Sequence, residues 1–158
     1  MDLFDPDWAR QLEVAAQVII AGVLGGFIGL ERELANRPAG VRTHAILGAA
    51  AALLVGTADL LVEHFMSGTP DDLLRVDPIR VVEAVVTGVA FLGAGTIFRH
   101  RGRDDDSVEG LTTAASLLLV AAIGVAVAIR QLLLALLVTV VSLVLLRIVG
   151  RAVNRRRR

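Results

Sequence analysis

Residues 14–44 read VAAQVIIAGVLGGFIGLERELANRPAGVRTH. Val14–Leu30 is apolar but for Gln17; then come Glu31, Arg32, Glu33, Arg37, Arg42 and His44 before the chain turns apolar again at Ala45. An apolar run of that length suits a helix crossing about 30 Å of hydrocarbon, whereas a soluble helix so long would show a polar face. Blocks of similar length follow at Ala45–Val62, Ile79–Phe98, Leu111–Ile129 and Leu132–Val149. The chain is 55% hydrophobic, with a mean hydropathy of +0.70. Soluble domains hold about 45–50% apolar residues, arranged in stripes. The expected fold class is all-α, a polytopic membrane helical bundle of about five transmembrane helices at 14–30, 45–62, 79–98, 111–129 and 132–149. Residues 1–150 make one transmembrane domain, and 151–158 a basic cytoplasmic tail. The blocks do not alternate every second residue, which sets a transmembrane barrel aside.

All 16 basic residues are arginine. Arg32, Arg37 and Arg42 fall in one connection, Arg99, Arg101 and Arg103 in another, and Arg151 and Arg155–Arg158 in the tail. Arg10, Arg75, Arg80 and Arg130 fall on the other side. Cytoplasmic connections are enriched in arginine, so five spans put the N-terminus outside and the C-terminus in the cytoplasm. The acidic start MDLFDPDWARQLE lacks the positive n-region and cleavage site of a secretory signal, so the first helix is expected to stay attached. The outer side gathers Asp2, Asp5, Asp7, Glu13, Glu63, Asp71, Asp72 and Asp77, a solvated surface or a weak attractor of cations. With no cysteine, disulfides and thiolate metal sites are excluded. A net charge of zero gives no reason to expect nucleic acid as a partner.

Helices in lipid approach each other through small residues. Gly22, Gly25, Gly26 and Gly29 offer such a face on the first span, Gly48, Ala52 and Gly56 on the second, and Gly88, Gly93 and Gly95 on the third. The fourth span holds several alanines and Gly124, while the fifth is bulky. A compact four-helix core with the last helix on its periphery is expected. Shifting the chain by 70 residues against itself pairs Arg10 with Arg80, Glu13 with Glu83, Gly25 with Gly95, Gly40 with Gly110 and Thr43 with Thr113. Two spans separate the copies, so spans 1–2 and 3–4 would form a parallel internal repeat about an axis along the membrane normal.

Glu83 lies a few residues inside the third span, about 6–8 Å deep. A carboxylate there must pair, face water or bind an ion. With Asp59 and its repeat partner Glu13, it is a candidate cation-binding group for Mg²⁺ or Ca²⁺; the alternative is three interfacial carboxylates, each satisfied by arginine or water. On the inner face Glu31, Arg32 and Glu33 end the first helix, Arg42, Thr43 and His44 begin the second, and Gly110, Thr112 and Thr113 begin the fourth. These residues form either a joint cytoplasmic polar cluster or plain helix caps. His44 alone is weak evidence for a metal site. No motif of a hydrolase, zinc protease, P-loop or redox pair is present, so no enzyme and no catalytic residue is expected.

The stretches GGFIGLERE…AGVRTH, VTGVAFLGAGTIF and VEGLTTAASLLLVAAIG, in that order, closely resemble signatures of the MgtC/SapB family of bacterial inner-membrane proteins. The resemblance covers roughly residues 15–130. It implies a multi-pass protein of the cell (inner) membrane linked to growth in low magnesium and, in pathogens, to survival inside macrophages. It also implies a regulator more than a Mg²⁺ carrier, acting on the F-type ATP synthase and other membrane proteins. By position, its polar motif falls on Glu31, Arg32, Glu33, Gly40, Arg42, Thr43 and His44, and its other motifs on Gly88, Gly93, Gly95, Gly110, Leu111, Thr112 and Thr113. Leu118 stands where many members have tryptophan, and RAVNRRRR stands where many continue into a soluble C-terminal regulatory domain, so regulation through such a domain is not expected.

The leading expectation is a non-enzymatic regulator in magnesium homeostasis, embedded in the lipid bilayer and working through contact with itself or with a membrane-protein partner. The alternative is a small oligomeric Mg²⁺ transporter or channel. A purely structural membrane subunit is the weakest of the three. No cofactor beyond Mg²⁺ itself is implied.

Overall fold

The computed structural model of the chain describes residues 8–66, 77–99 and 108–156. Asp2, Asp5, Asp7, Asp71, Asp72, Arg75, Arg101, Arg103, Arg157 and Arg158 lie outside the described residues, as do the side chains of Glu63, Arg99, Arg151, Arg155 and Arg156. Five helices follow in order: α1 Trp8–Leu34, α2 Val41–Met66, α3 Pro78–Gly95, α4 Leu111–Ala128 and α5 Leu132–Arg156. Between α3 and α4 the chain pairs Phe98 with Glu109 and Arg99 with Val108, a two-residue antiparallel ladder. The first four helices are long and apolar enough to cross a membrane, and α5 contributes the shorter apolar stretch Leu132–Ile148.

The helix ends have local causes. At the end of α1, Arg37 N–H donates to the Arg32 carbonyl and Asn36 N–H to that of Glu33, both at 3.0 Å, with Asn36 at φ 52. That is a Schellman stop with asparagine in the left-handed position, a residue that tolerates it. The same closure ends α4, where Gln131 N–H reaches the Ala126 carbonyl and Arg130, at φ 62, reaches that of Val127. Asp77 caps α3 by accepting from Ile79 N–H at 3.0 Å, with Pro78 at the first helical position. Gly110, at φ +91, opens α4 with its Cα against the Thr96 carbonyl, so a Cβ has no room there.

Backbone meets backbone at glycine between α1, α2 and α4. A Cβ on Gly25 would lie 2.5 Å from the His44 carbonyl, one on Gly48 2.7 Å from that of Ala21, and one on Gly124 2.5 Å from that of Gly48. Only glycine lets the backbones meet at these distances, which is how helices associate where lipid gives no hydrophobic drive. Ala21, Leu24, Ile28, Ala52, Val55, Val120, Ile123 and Val127 fill the space between. α2 is antiparallel to α1 and parallel to α4: Gly29 faces Gly40 while Gly56 faces Val14, and the α2–α4 neighbours advance together from Gly48–Val120 to Ala51–Gly124. The α2–α4 direction is that of the expected repeat, and α2 and α4 begin at Val41 and Leu111, separated by the 70-residue shift.

The two halves do not pack alike. α3 is on the periphery, not in a four-helix core: only Val85, Val89 and Gly93 of it are buried. Gly88 and Gly95 have nothing within 4 Å of where a Cβ would stand, so within one chain they pack no helix, while Gly93 meets the Ala114 Cβ at 3.3 Å. Gly22 and Gly26 make ordinary contacts with Ala45 and Ala49 of α2. α5 is peripheral as well, turning its few small residues inward, with Ala135, Thr139 and Ser142 buried. Thr139 donates to the Ala135 carbonyl at 2.8 Å and Ser142 to that of Val138 at 2.5 Å, so neither hydroxyl is left unbonded.

Candidate functional site

Apart from Thr139 and Ser142 of α5, the buried polar side chains among the described residues gather at the end of the bundle where α1 stops and α2 and α4 start. Glu31 is 8% exposed, Arg32 5%, Thr113 2% and His44 0%. Arg32 Nε donates to Glu31 Oε2 at 2.8 Å, an ion pair between sequence neighbours. Next to it, the Gly29 Cα lies against Val41 and the His44 Cβ, which brings the last turn of α1 onto the first turn of α2. Glu33 is exposed, and its Oε2 accepts from Val41 N–H at 2.9 Å. The last turn of α1 thereby caps α2, and Gly40 lies so close to that carboxylate that a Cβ would overlap it.

His44 is the centre of the cluster. Its Nδ1 is 3.0 Å from the Gly40 carbonyl, which can only accept, so Nδ1 carries the proton. Its Nε2 is 3.0 Å from Ser116 Oγ, on α4. Ser116 Oγ is also 2.8 Å from the Thr113 carbonyl. Ser116 has one hydrogen, which goes to the Thr113 carbonyl here, so Nε2 meets the serine oxygen within a contact whose direction follows the protonation of the ring. A helix-start carbonyl on α2, an imidazole and a hydroxyl on α4 thus form one chain joining the two parallel helices. A serine beside a histidine is also the pairing of a nucleophile with its base, but Nδ1 here meets a carbonyl where catalytic triads place a carboxylate, and both side chains are buried.

The structure brings together Glu31, Arg32, His44 and Thr113 of the expected cluster, while Arg42, Thr43 and Thr112 point out to the surface. No sequence motif singles out Ser116. The 70-residue shift pairs it with Ile46, so the repeat gave no hint; its position one turn after Thr113 on the same helix face was the available signal.

At the other end of the bundle the three candidate cation-binding carboxylates Glu13, Asp59 and Glu83 do not come together. Glu13 and Asp59 line one shallow depression with Arg10, Gln17, Gly56 and Arg130. Glu13 is bound there by Arg130, with Nε at 2.8 Å and Nη2 at 2.9 Å, and Arg10 stands 4.0 Å away. Glu83 is elsewhere, exposed on α3, where the Thr87 hydroxyl donates to its backbone carbonyl at 2.7 Å. Among the described residues no three histidine, aspartate or glutamate side chains come together as metal ligands.

The signatures around this buried cluster are those of a known family: residues 18–155 match the MgtC family. The chain belongs to the MgtC family. Similar proteins include "Protein MgtC" of Brucella abortus, 38% identical over 118 residues, which are 75% of this chain and 43% of that protein. "Putative magnesium transporter YhiD" of Escherichia coli K12 is 36% identical over 121 residues, 73% of this chain and 50% of that one. "Protein SapB" of Bacillus subtilis is 32% identical over 119 residues, 75% of this chain and 49% of that one. The chain thus spans about half the length of these curated relatives. No solved structure matches it. Its apolar helices and its family make it a membrane protein.

Proposed function

We propose that this MgtC-family chain serves magnesium homeostasis as a non-enzymatic regulator, binding a membrane partner or another copy of itself through its helices. The observation that carries this reading is the closure of α1, α2 and α4. Their backbones touch at glycine, and the polar groups between their inner ends are spent on each other, Arg32 on Glu31 and His44 on Ser116. A conducting path needs polar groups facing water along its length. The magnesium assignment rests on the name of the YhiD relative and on the family resemblance. The same resemblance offers the F-type ATP synthase as a partner to test first. The arginine distribution orients the chain with the N-terminus outside and the C-terminus in the cytoplasm of the inner membrane, which would put the His44 cluster at the cytoplasmic side.

A second reading, an oligomeric Mg²⁺ transporter, draws on the exposed Glu83 of α3, a carboxylate that a neighbouring copy could turn into part of a shared path. Liposomes holding the purified chain and loaded with ²⁸Mg²⁺ separate the two. Flux equal to that of empty vesicles, together with a low-magnesium growth defect on deletion, is expected of the regulator. Saturable flux abolished by Glu83→Gln would replace it with the transporter.

A further inference from the structure

α3 buries one face and presents another whose composition does not suit lipid. Val85, Val89 and Gly93 turn toward α4. On the opposite side Arg80, Glu83, Thr87, Ala90 and Ala94 are all exposed. Their spacing alternates three and four residues, the seam of a left-handed helix pair. Among the described residues neither the Arg80 guanidinium nor the Glu83 carboxylate has a side-chain partner. Ionisable groups within a spanning segment rarely face lipid; they face protein or water, because an unpaired charge there costs several kcal/mol.

The first half of the chain shows how such a carboxylate is satisfied in this fold. Glu13 stands at the equivalent point of α1, three residues after Arg10, and it is held by a guanidinium from outside its own helix, that of Arg130 between α4 and α5. For Glu83 the chain supplies no such group among the described residues. We infer that a second copy of this chain supplies it: two α3 helices pair in parallel about a two-fold axis, with Arg80 of each copy against Glu83 of the other, and Ala90 and Ala94 at the close contact below. A two-fold pairing uses both charges twice and leaves none over, since the residue that receives in one copy gives in the other. Thr87 sits between the charged and the small part of the seam, with acceptor capacity free on its hydroxyl. This deepens the proposed function by naming the surface through which a copy binds, and it rests on that reading only for its physiological meaning.

The chain has no cysteine, so single substitutions report neighbours directly. Full-length Ala90→Cys and Ala94→Cys, oxidised in native membranes, are expected to give dimers, and Leu133→Cys on the exposed side of α5 to give at most one-tenth of their yield. Arg80→Glu and Glu83→Arg singly should each lower the dimer yield of Ala90→Cys about three- to tenfold, and the double exchange should restore it. Equal cross-linking at Leu133, or single and double charge variants indistinguishable from the parent, would overturn the pairing. So would cross-linking of Ala90→Cys to a different protein in place of itself. Low-magnesium growth of the same strains is scored separately: single charge variants that lose the dimer yet grow like the parent remove the regulatory reading and leave the interface standing.

Discussion

His44 Nε2 and Ser116 Oγ stand 3.0 Å apart, tying the start of α2 to the start of α4 across 72 positions of sequence. Because the ring is wholly buried and its other nitrogen is committed to the Gly40 carbonyl, this bond has no water to replace it. Ser116→Ala should therefore leave the buried Nε2 without a polar partner and cost about 1–3 kcal/mol. The expected outcome is a lower melting temperature in detergent, with Ser116→Thr falling between the two. An unchanged melting curve for Ser116→Ala would mean that the bond is not what joins the helices.

The same geometry fixes the tautomer. Nδ1 faces a carbonyl and must donate, so a neutral His44 keeps its hydrogen on Nδ1 and leaves Nε2 bare beside the Ser116 oxygen. Nitrogen-15 shifts of labelled His44, with His64 and His100 replaced by glutamine, should show a protonated Nδ1 and a pyridine-like Nε2. In Ser116→Ala the Nε2 resonance alone should move.

Glycine substitutions should divide sharply between helices. Gly25→Ala and Gly124→Ala put a methyl group 2.5 Å from a carbonyl oxygen of the neighbouring helix and force the backbones apart, at about 1–3 kcal/mol each. Gly88→Ala meets open space and should change stability by no more than about 1 kcal/mol, toward the stable side by helix propensity. Thermal unfolding of the three variants in one detergent tests the contrast.

Capping of α2 by Glu33 offers a local test at the connection between α1 and α2. Glu33→Ala removes the acceptor for Val41 N–H and should cost about 0.5–2 kcal/mol, while Glu33→Gln, which keeps an oxygen there, should cost less. Hydrogen exchange should quicken at Val41 in Glu33→Ala and leave the centre of α2 unchanged. The Glu13–Arg130 pair is more exposed, and Glu13→Gln should alter stability by no more than about 1 kcal/mol.

The sequence by itself determined that the chain is helical and built for a membrane, and it placed the helices well. Transfer into hydrocarbon is a property of each residue summed over a window, so Val41–Val62 and Leu111–Ala128 stand almost where the apolar blocks expected them. It also marked the end of α1 and the starts of α2 and α4 as polar, because charged and hydroxyl residues cluster there whatever they touch. Which helices form the core was decided only in three dimensions. Gly25 and Gly88 look alike as letters in apolar spans, yet one is pressed against a carbonyl and the other faces open space. In lipid a leucine gains little by turning toward another helix rather than outward, so hydropathy carries no signal for which face packs. The partners of single polar groups were equally beyond reach: Ser116 for His44 and Arg130 for Glu13 are 72 and 117 positions away, and only the parallel run of α2 beside α4 and the turn closing α4 bring them within bonding distance.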